Sequence, residues 1–396
     1  MVLRLTNQQK AYDWGDPDAI PRFLGSEPDG SPVAELWMGA HPAGSSTAQQ
    51  PDGRLVSLHE LISTRPADML GPVAAQGVRE LPFLFKLLAA SRALSIQVHP
   101  SREQAAKGFA REEANGVPID AAERTYKDRN HKPELMYAAG PFWAMSGFRD
   151  PDDSASLLSS AGIPVNDTRT VLETVLAMSE TDVEAACARL LLPDADPEHI
   201  YGSRGAVDDQ VRLAWVRNLR EQYGNDPGIL APLFLNVVRL EAGDALYQGA
   251  GLVHAYLRGF GFEIMANCDN VLRAGLTSKY MDVDELLAIV DFTPAAPRLV
   301  NPGTPVSGVR EFACEVPDFR LLEARPVSGV STVDLSGCPA IVLCTAGAVT
   351  IEPGGVRLSR GESAFVAGGT GAFSLEPVSH TGEVRALIAS CSASVV

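Results

Sequence analysis

The sequence predicts a mainly β protein with an α-helical insertion: two β-barrels plus a helical domain. Three observations carry this. Short apolar runs bounded by Pro, Gly and Asp dominate both ends of the chain. Residues 151–234 change to helical spacing of apolar side chains. Arg239–Tyr247 (RLEAGDALY) also resembles Arg357–Phe365 (RLSRGESAF), a strand, a Gly-acidic turn and a strand repeated at an offset of 118 residues. With 396 residues, more than one ordinary domain is expected. Residues 1–150 with 235–305 read as one discontinuous barrel, 151–234 as the helical insertion, and 306–396 as the second barrel. The offset places Ala372 opposite His254, so a role of His254 is lost from the second barrel.

Residues 1–57 read as short strands and turns. A short helix follows from Leu58 to Thr64, with Ser57 as cap and Pro66 as stop. Leu81–Leu88, apolar except for Pro82 and Lys86, fits a buried strand, and Ala93–His99 a second strand ended by Pro100. Residues 101–112 read as helix. In the insertion, helices are expected over Thr170–Met178, Thr181–Leu192 and Asp208–Tyr223, the last capped by Asp208 or Asp209. The chain returns to strands at Leu235–Leu240 and Ala245–Tyr247. Asp282 and Glu285 are spaced as a capping-box variant for a helix to Val290. Short strands with Gly turns complete the chain.

Acidic residues outnumber basic ones 49 to 33, a formal charge of −16. That balance argues against nucleic acid and anionic membranes as partners, although a local pocket can still be basic. Half of the excess lies in 151–235, with fourteen acidic and six basic residues, whereas 86–134 carries nine basic and seven acidic. There is no apolar run long enough for a membrane helix and no secretory signal at Met1–Lys10. Six scattered cysteines without a C-x-x-C pair argue against a zinc knuckle and for reduced thiols in a cytoplasmic protein.

Three segments carry candidate chemistry. Gln97 and His99 lie two apart on a strand and therefore share a face. Tyr126–Glu134 is a polar, proline-containing loop that ends where an apolar strand begins, placing Glu134 at a barrel mouth. A glycine-rich turn, Gly249–Gly251, delivers His254 onto a strand, with Glu263 and Asn270–Lys279 beyond it. Each alone reads equally well as a polar strand face, a solvated loop or a satisfied core histidine. Combined, Gln97, His99, Glu134 and His254 form a set of two nitrogen and two oxygen ligands. Zinc accepts that set, and two histidines with a carboxylate also suit iron. The neutral amide of Gln97 leaves more net positive charge on the metal, which favours Lewis-acid polarisation of a substrate oxygen.

Four motifs occur in order: Tyr12-Asp13-Trp14-Gly15, Gln97-Val98-His99-Pro100, Asn130-His131-Lys132-Pro133-Glu134 and Asn270–Lys279 (NVLRAGLTSK). Together they resemble the type I mannose-6-phosphate isomerases, zinc enzymes of the cupin superfamily, over about residues 1–300. The resemblance implies cupin-type jelly-roll barrels, the first catalytic and the second without a metal site. It implies one Zn2+ per chain on Gln97, His99, Glu134 and His254. Arg273, His131 and Lys132 fall on catalytic positions, with His131, Lys132 or a metal-bound water as base. Lys86, Ser95 and Lys279 fall on phosphate contacts, Tyr256 and Asn270 on substrate-lining positions, and Trp14 on the barrel wall. The reaction implied is reversible conversion of mannose 6-phosphate to fructose 6-phosphate through a cis-enediol, by a cytoplasmic monomer linking hexose phosphate metabolism to mannose and GDP-mannose supply. The alternatives are another metal-dependent cupin enzyme, such as an iron oxygenase, and a non-catalytic sugar-binding cupin; neither calls for Arg273 and the N-H-K-P-E loop. Val98 stands where the family often has a smaller residue.

These roles separate two cations. Arg273→Ala should lower kcat far more than it raises KM, because it acts on charge that develops in the transition state. Lys279→Ala should chiefly raise KM. Steady-state kinetics of the two variants check this, and equal losses confined to kcat would contradict the assignment.

Overall fold

The computed structural model describes residues 1–326, 329–379 and 382–395. Two barrels and a helical insertion are present, as the alternation of short apolar runs predicts. The first barrel is built on a ten-stranded antiparallel sheet in which Glu134–Phe148 and His254–Ala266 pair at the centre. Phe83–Ala90 flanks His254–Ala266 on the other side, followed by Glu35–Met38 and Gln8–Lys10. The short strands Gln97–Val98 and Leu272–Arg273 add to its edge.

Glu134 and His254 sit at opposite ends of the central pair, opposite Met265 and Ser146 respectively. They nevertheless meet, because the pair folds over on itself. Its register shifts between Tyr256 and Arg258 and again between Gly259 and Gly261, and such irregularities bend and twist strands where a barrel closes. The fold-over needs those glycines. A Cβ on Gly259, whose φ is +144°, would lie 2.7 Å from the Phe142 backbone, and one on Gly261 would lie 2.8 Å from the Tyr137 carbonyl oxygen.

The segment Ala93–His99 is strand only at Gln97–Val98. Upstream, the Leu94 and Ile96 amides donate to the Tyr256 and Gly275 carbonyls at 2.8 and 3.0 Å, tying the segment to the strand that begins at His254 and to the loop after Arg273 instead of a regular ladder. The helix after Pro100 runs Arg102–Ala114 under a full Ser101–Gln104 capping box. In the insertion, helices cover Pro151–Ala161, Thr168–Leu176, Glu180–Arg189, Pro197–Arg204 and Asp209–Tyr223, the last capped by Asp208. Their apolar faces pack on Trp143, Met145 and Phe148 of the long central strand. Two expected caps differ in detail. Ser57 precedes its helix without capping it, its hydroxyl donating instead to Ser45 Oγ. Asp282 accepts the Glu285 amide at 3.0 Å, but the Glu285 carboxylate goes to Tyr126 and Arg111.

The second barrel departs from the expected boundaries. The sequence assigns all of 1–150 to the first barrel. The pairing instead puts Val2–Thr6 against Ser363–Val366, with Thr47–Gln49 and Leu55–Ser57 continuing the same eight-stranded sheet. Ladder partners 360 residues apart leave no local pattern to read. The repeat is otherwise visible: the 118-residue offset carries Ala245–Gln248 onto the strand Ser363–Val366, and Ala372 precedes the strand Phe373–Pro377 as the counterpart of His254.

Leu3 is buried in the core of the second barrel. Leu3→Ala should therefore destabilise the protein by about 3 kcal/mol in denaturant melts, the usual result of emptying a core leucine site. A loss typical of a surface residue would mean that the N-terminal strand is not part of that core.

Candidate metal centre and cavity

His99, Glu134 and His254 converge inside the first barrel, all buried, with candidate ligand atoms within 4.8 Å of one another. Glu134 lies between the imidazoles. Oε1 is 3.3 Å from His99 Nε2 and Oε2 is 3.3 Å from His254 Nε2. Each ring's other nitrogen faces a backbone carbonyl: His99 Nδ1 lies 2.9 Å from the Asn270 oxygen and His254 Nδ1 2.9 Å from that of Leu252. A carbonyl only accepts, so both Nδ1 atoms carry the proton and both Nε2 lone pairs face the shared point. His99 Nε2 is buried without a hydrogen-bond partner. An orphaned lone pair beside a second imidazole and a carboxylate is a donor set that a divalent cation would satisfy.

Gln97 lies on the neighbouring strand. It pairs with His254 on one side and Arg273 on the other, and lines the cavity. Its amide nitrogen donates to Ser95 Oγ at 3.2 Å, which turns the carbonyl oxygen away from Ser95.

Burial pushes His99 down to about 4, with Lys132 adding to the shift, so its imidazole is neutral at pH 7. Burial raises Glu134, but the carboxyl is held well below its usual range, chiefly by Lys132 Nζ at 2.7 Å.

Gln97, Lys132, Glu134 and His254 open onto a cavity of about 630 Å³, which the fully buried His99 does not line. Lys86, Ser95, Lys132, Tyr256, Arg273 and Lys279 line it, as the motifs imply, and so does Trp14. Two assignments fail. His131 does not line the cavity: its Nε2 is 2.7 Å from Asp318 Oδ2 in the second barrel. Asn270 is fully buried outside it, its side chain holding the Lys127 and Asp128 amides and the Asp128 and Asn130 carbonyls. It shapes the loop and orients His99 through its own carbonyl.

Lys86 is also placed differently from a phosphate anchor. Its ammonium lies 2.7 Å from Glu263 and 3.4 Å from Glu35, whose other oxygen accepts from Trp37 Nε1 at 2.7 Å. Burial disfavours the charged amine, but Glu263, Glu35 and Glu134 raise it above its ordinary value. A phosphate here would meet two carboxylates. Glu35 and Glu263 are the site residues that the motifs missed as such. The Tyr256 hydroxyl is buried without a hydrogen-bond partner, and burial with Glu263 and Glu134 nearby holds it well above its usual value. Arg273, Thr277, Ser278 and Lys279 also line the cavity, with burial pulling the Arg273 guanidinium below its ordinary value.

The mannose-6-phosphate isomerase of Escherichia coli (strain K12) is 40% identical over 374 residues, covering 92% of this chain and 94% of that protein. The chain belongs to the mannose-6-phosphate isomerase family. The sequence model of the type I phosphomannose isomerase catalytic domain matches residues 2–151. Mannose-6-phosphate isomerase 1 of Arabidopsis thaliana is 32% identical over 398 residues, covering 92% of this chain and 88% of that one. A variant of the phosphomannose isomerase of Salmonella typhimurium superposes with a TM-score of 0.87 at 35% identity, over 99% of both chains. A zinc-bound mannose 6-phosphate isomerase gives 0.86, also at 35% identity and over 99% of both. The cupin fold holds the cluster in the first barrel. Among the described residues, it is the one group of three His, Cys, Asp or Glu side chains placed to share a metal.

A pH effect follows for metal-free protein. His99 titrates near 6.5 unfolded and near 4 folded, so the unfolded chain binds the extra proton in between. Stability from this site is present above pH 6.5 and falls as the pH drops toward 4, by up to about 3 kcal/mol. Denaturant melts of chelated protein across that range check it, and His99→Gln should flatten the profile.

Proposed function

We propose that the protein interconverts mannose 6-phosphate and fructose 6-phosphate, with zinc held by His99, Glu134, His254 and Gln97. The observation that carries this is the pair of imidazoles whose Nδ1 atoms are committed to backbone carbonyls while both Nε2 atoms face Glu134. The zinc-bound relative and the family membership support the choice of metal and substrate. An iron oxygenase needs the same three side chains but gives no use to the Arg273–Lys279 wall.

Bound zinc supplies a Lewis acid that polarises a sugar oxygen. The chain's own groups do the rest. The phosphate lies against Lys279, Ser95, Thr277 and Ser278, and anchoring it fixes the reacting carbons by position. Arg273, between that wall and Gln97, faces the charge that develops on the enediol oxygens. Glu35, Glu263 and the Lys86 ammonium meet the sugar hydroxyls. The proton that moves from C2 to C1 through a cis-enediol falls to Lys132, which would take it as the neutral amine and return it as the ammonium, and not to His131, which is committed to Asp318. The six free cysteines support a cytoplasmic setting. No helix among the described residues is long and apolar enough to cross a membrane. The activity places the protein between hexose phosphate metabolism and the supply of mannose and GDP-mannose.

A coupled assay from mannose 6-phosphate to fructose 6-phosphate tests the reading: activity should vanish on chelation and return with zinc. In deuterated water, Lys132→Met should abolish exchange of the C2 proton by at least about a hundredfold, the scale of general acid–base catalysis. His131→Ala with saturating zinc should retain that exchange. Turnover with iron and oxygen but none on mannose 6-phosphate would remove the proposal.

A further inference from the structure

The geometry points to Asp318, in the second barrel, as a positioning residue that sets the separation of the metal ligands His99 and Glu134; this inference rests on the proposed metal site. Asp318 is 2% exposed. It lies in the connection before the strand Arg320–Ala324, between Pro317, whose carbonyl accepts the Ser392 amide, and Phe319, buried in the main core. Its carboxylate is therefore fixed to the second barrel.

Both partners of that carboxylate belong to the first barrel. Arg102 Nη2 donates to Oδ1 at 2.9 Å, and His131 Nε2 meets Oδ2 at 2.7 Å. The Arg102 guanidinium also lies 3.1 Å from the same His131 nitrogen. Arg102 follows His99 by three residues, across Pro100 and the capped start of the helix Arg102–Ala114. His131 precedes Glu134 by three residues, across Lys132 and Pro133. One buried carboxylate thus clamps the two segments that deliver two ligands, each through a short stretch stiffened by proline. From inside the barrel Asn270 grips the same pair, taking His99 on its carbonyl and the 127–130 loop on its side chain. The second barrel holds none of the ligands, yet it supplies the outer half of this grip. Groups that orient ligands at one remove typically change metal affinity by ten- to a hundredfold when removed.

The test uses the full chain with zinc. Asp318→Ala should weaken zinc binding about tenfold or more in competition with a chromophoric chelator, with Asp318→Asn intermediate because one acceptor oxygen remains. At saturating zinc, KM for mannose 6-phosphate should stay that of the parent. Tyr137→Phe is the control. It deletes another buried bond between the barrels, from the Tyr137 hydroxyl to Glu323 at 2.9 Å, and should lower Tm while leaving zinc affinity unchanged. If Asp318→Ala does not fold, the Asn variant and His131→Ala carry the same comparison of zinc affinity against Tm. Parent-like zinc affinity in the Asp318 variants, or an equal loss in Tyr137→Phe, overturns the inference alone. A parent that neither binds zinc nor isomerises mannose 6-phosphate overturns the functional reading with it.

Discussion

The structure depends on a single buried carboxylate. Glu134 sits inside a barrel where an unpaired charge is expensive, and it is flanked by two imidazoles whose Nε2 atoms the backbone has turned toward it. Without a cation, an anion faces two lone pairs, and only Lys132 compensates it directly. The arrangement is electrostatically consistent once a positive ion occupies the shared point. What brings the three together is the fold-over of two long strands at Gly259 and Gly261, where backbone comes closer than a side chain allows. Zinc affinity and barrel closure are therefore aspects of one constraint.

The same cavity is polar along its length. Glu35 and Glu263 lie around Lys86, and Arg273 and Lys279 add two further cations to its lining. A sugar phosphate matches both, with hydroxyl donors for the carboxylates and a dianion for the cations. The net charge of −16 plays no part in this, since half of it sits in the helical insertion, which packs on the outside of the long strand through Trp143, Met145 and Phe148. Whole-chain charge and site charge are decoupled because the site is walled by the barrel.

Much of the site was legible because its ligands obey local rules. Gln97 lies on a strand with His99 just beyond its end, and Glu134 opens a strand as its apolar run announces. His131 and Asn270 were misplaced because adjacency in a motif says nothing about which way a side chain turns. His131 points to a residue 187 positions away, and Asn270 is consumed by its own loop. Glu35 and Glu263 left a signal: each is a lone charge inside an apolar strand, as Lys86 is. Three such isolated charges of opposite sign in buried strands ask for one another as partners. The boundary of the second barrel left none, because the partner of Val2–Thr6 lies at the far end of the chain.

That misplaced boundary explains why the two barrels act as one body. The segment 2–10 enters the second barrel as a strand and, after Asn7, the first barrel as Gln8–Lys10 against Glu35–Met38. Asn7 is pinned at the crossing, its amide donating to Ser363 and accepting from Ser46, each at 2.8 Å. Fraying of the second barrel would pull on the strand that carries Glu35, and Glu35 contacts Lys86 inside the cavity. The barrel without ligands thus holds the catalytic one from two sides, at the N-terminal strand and at Asp318.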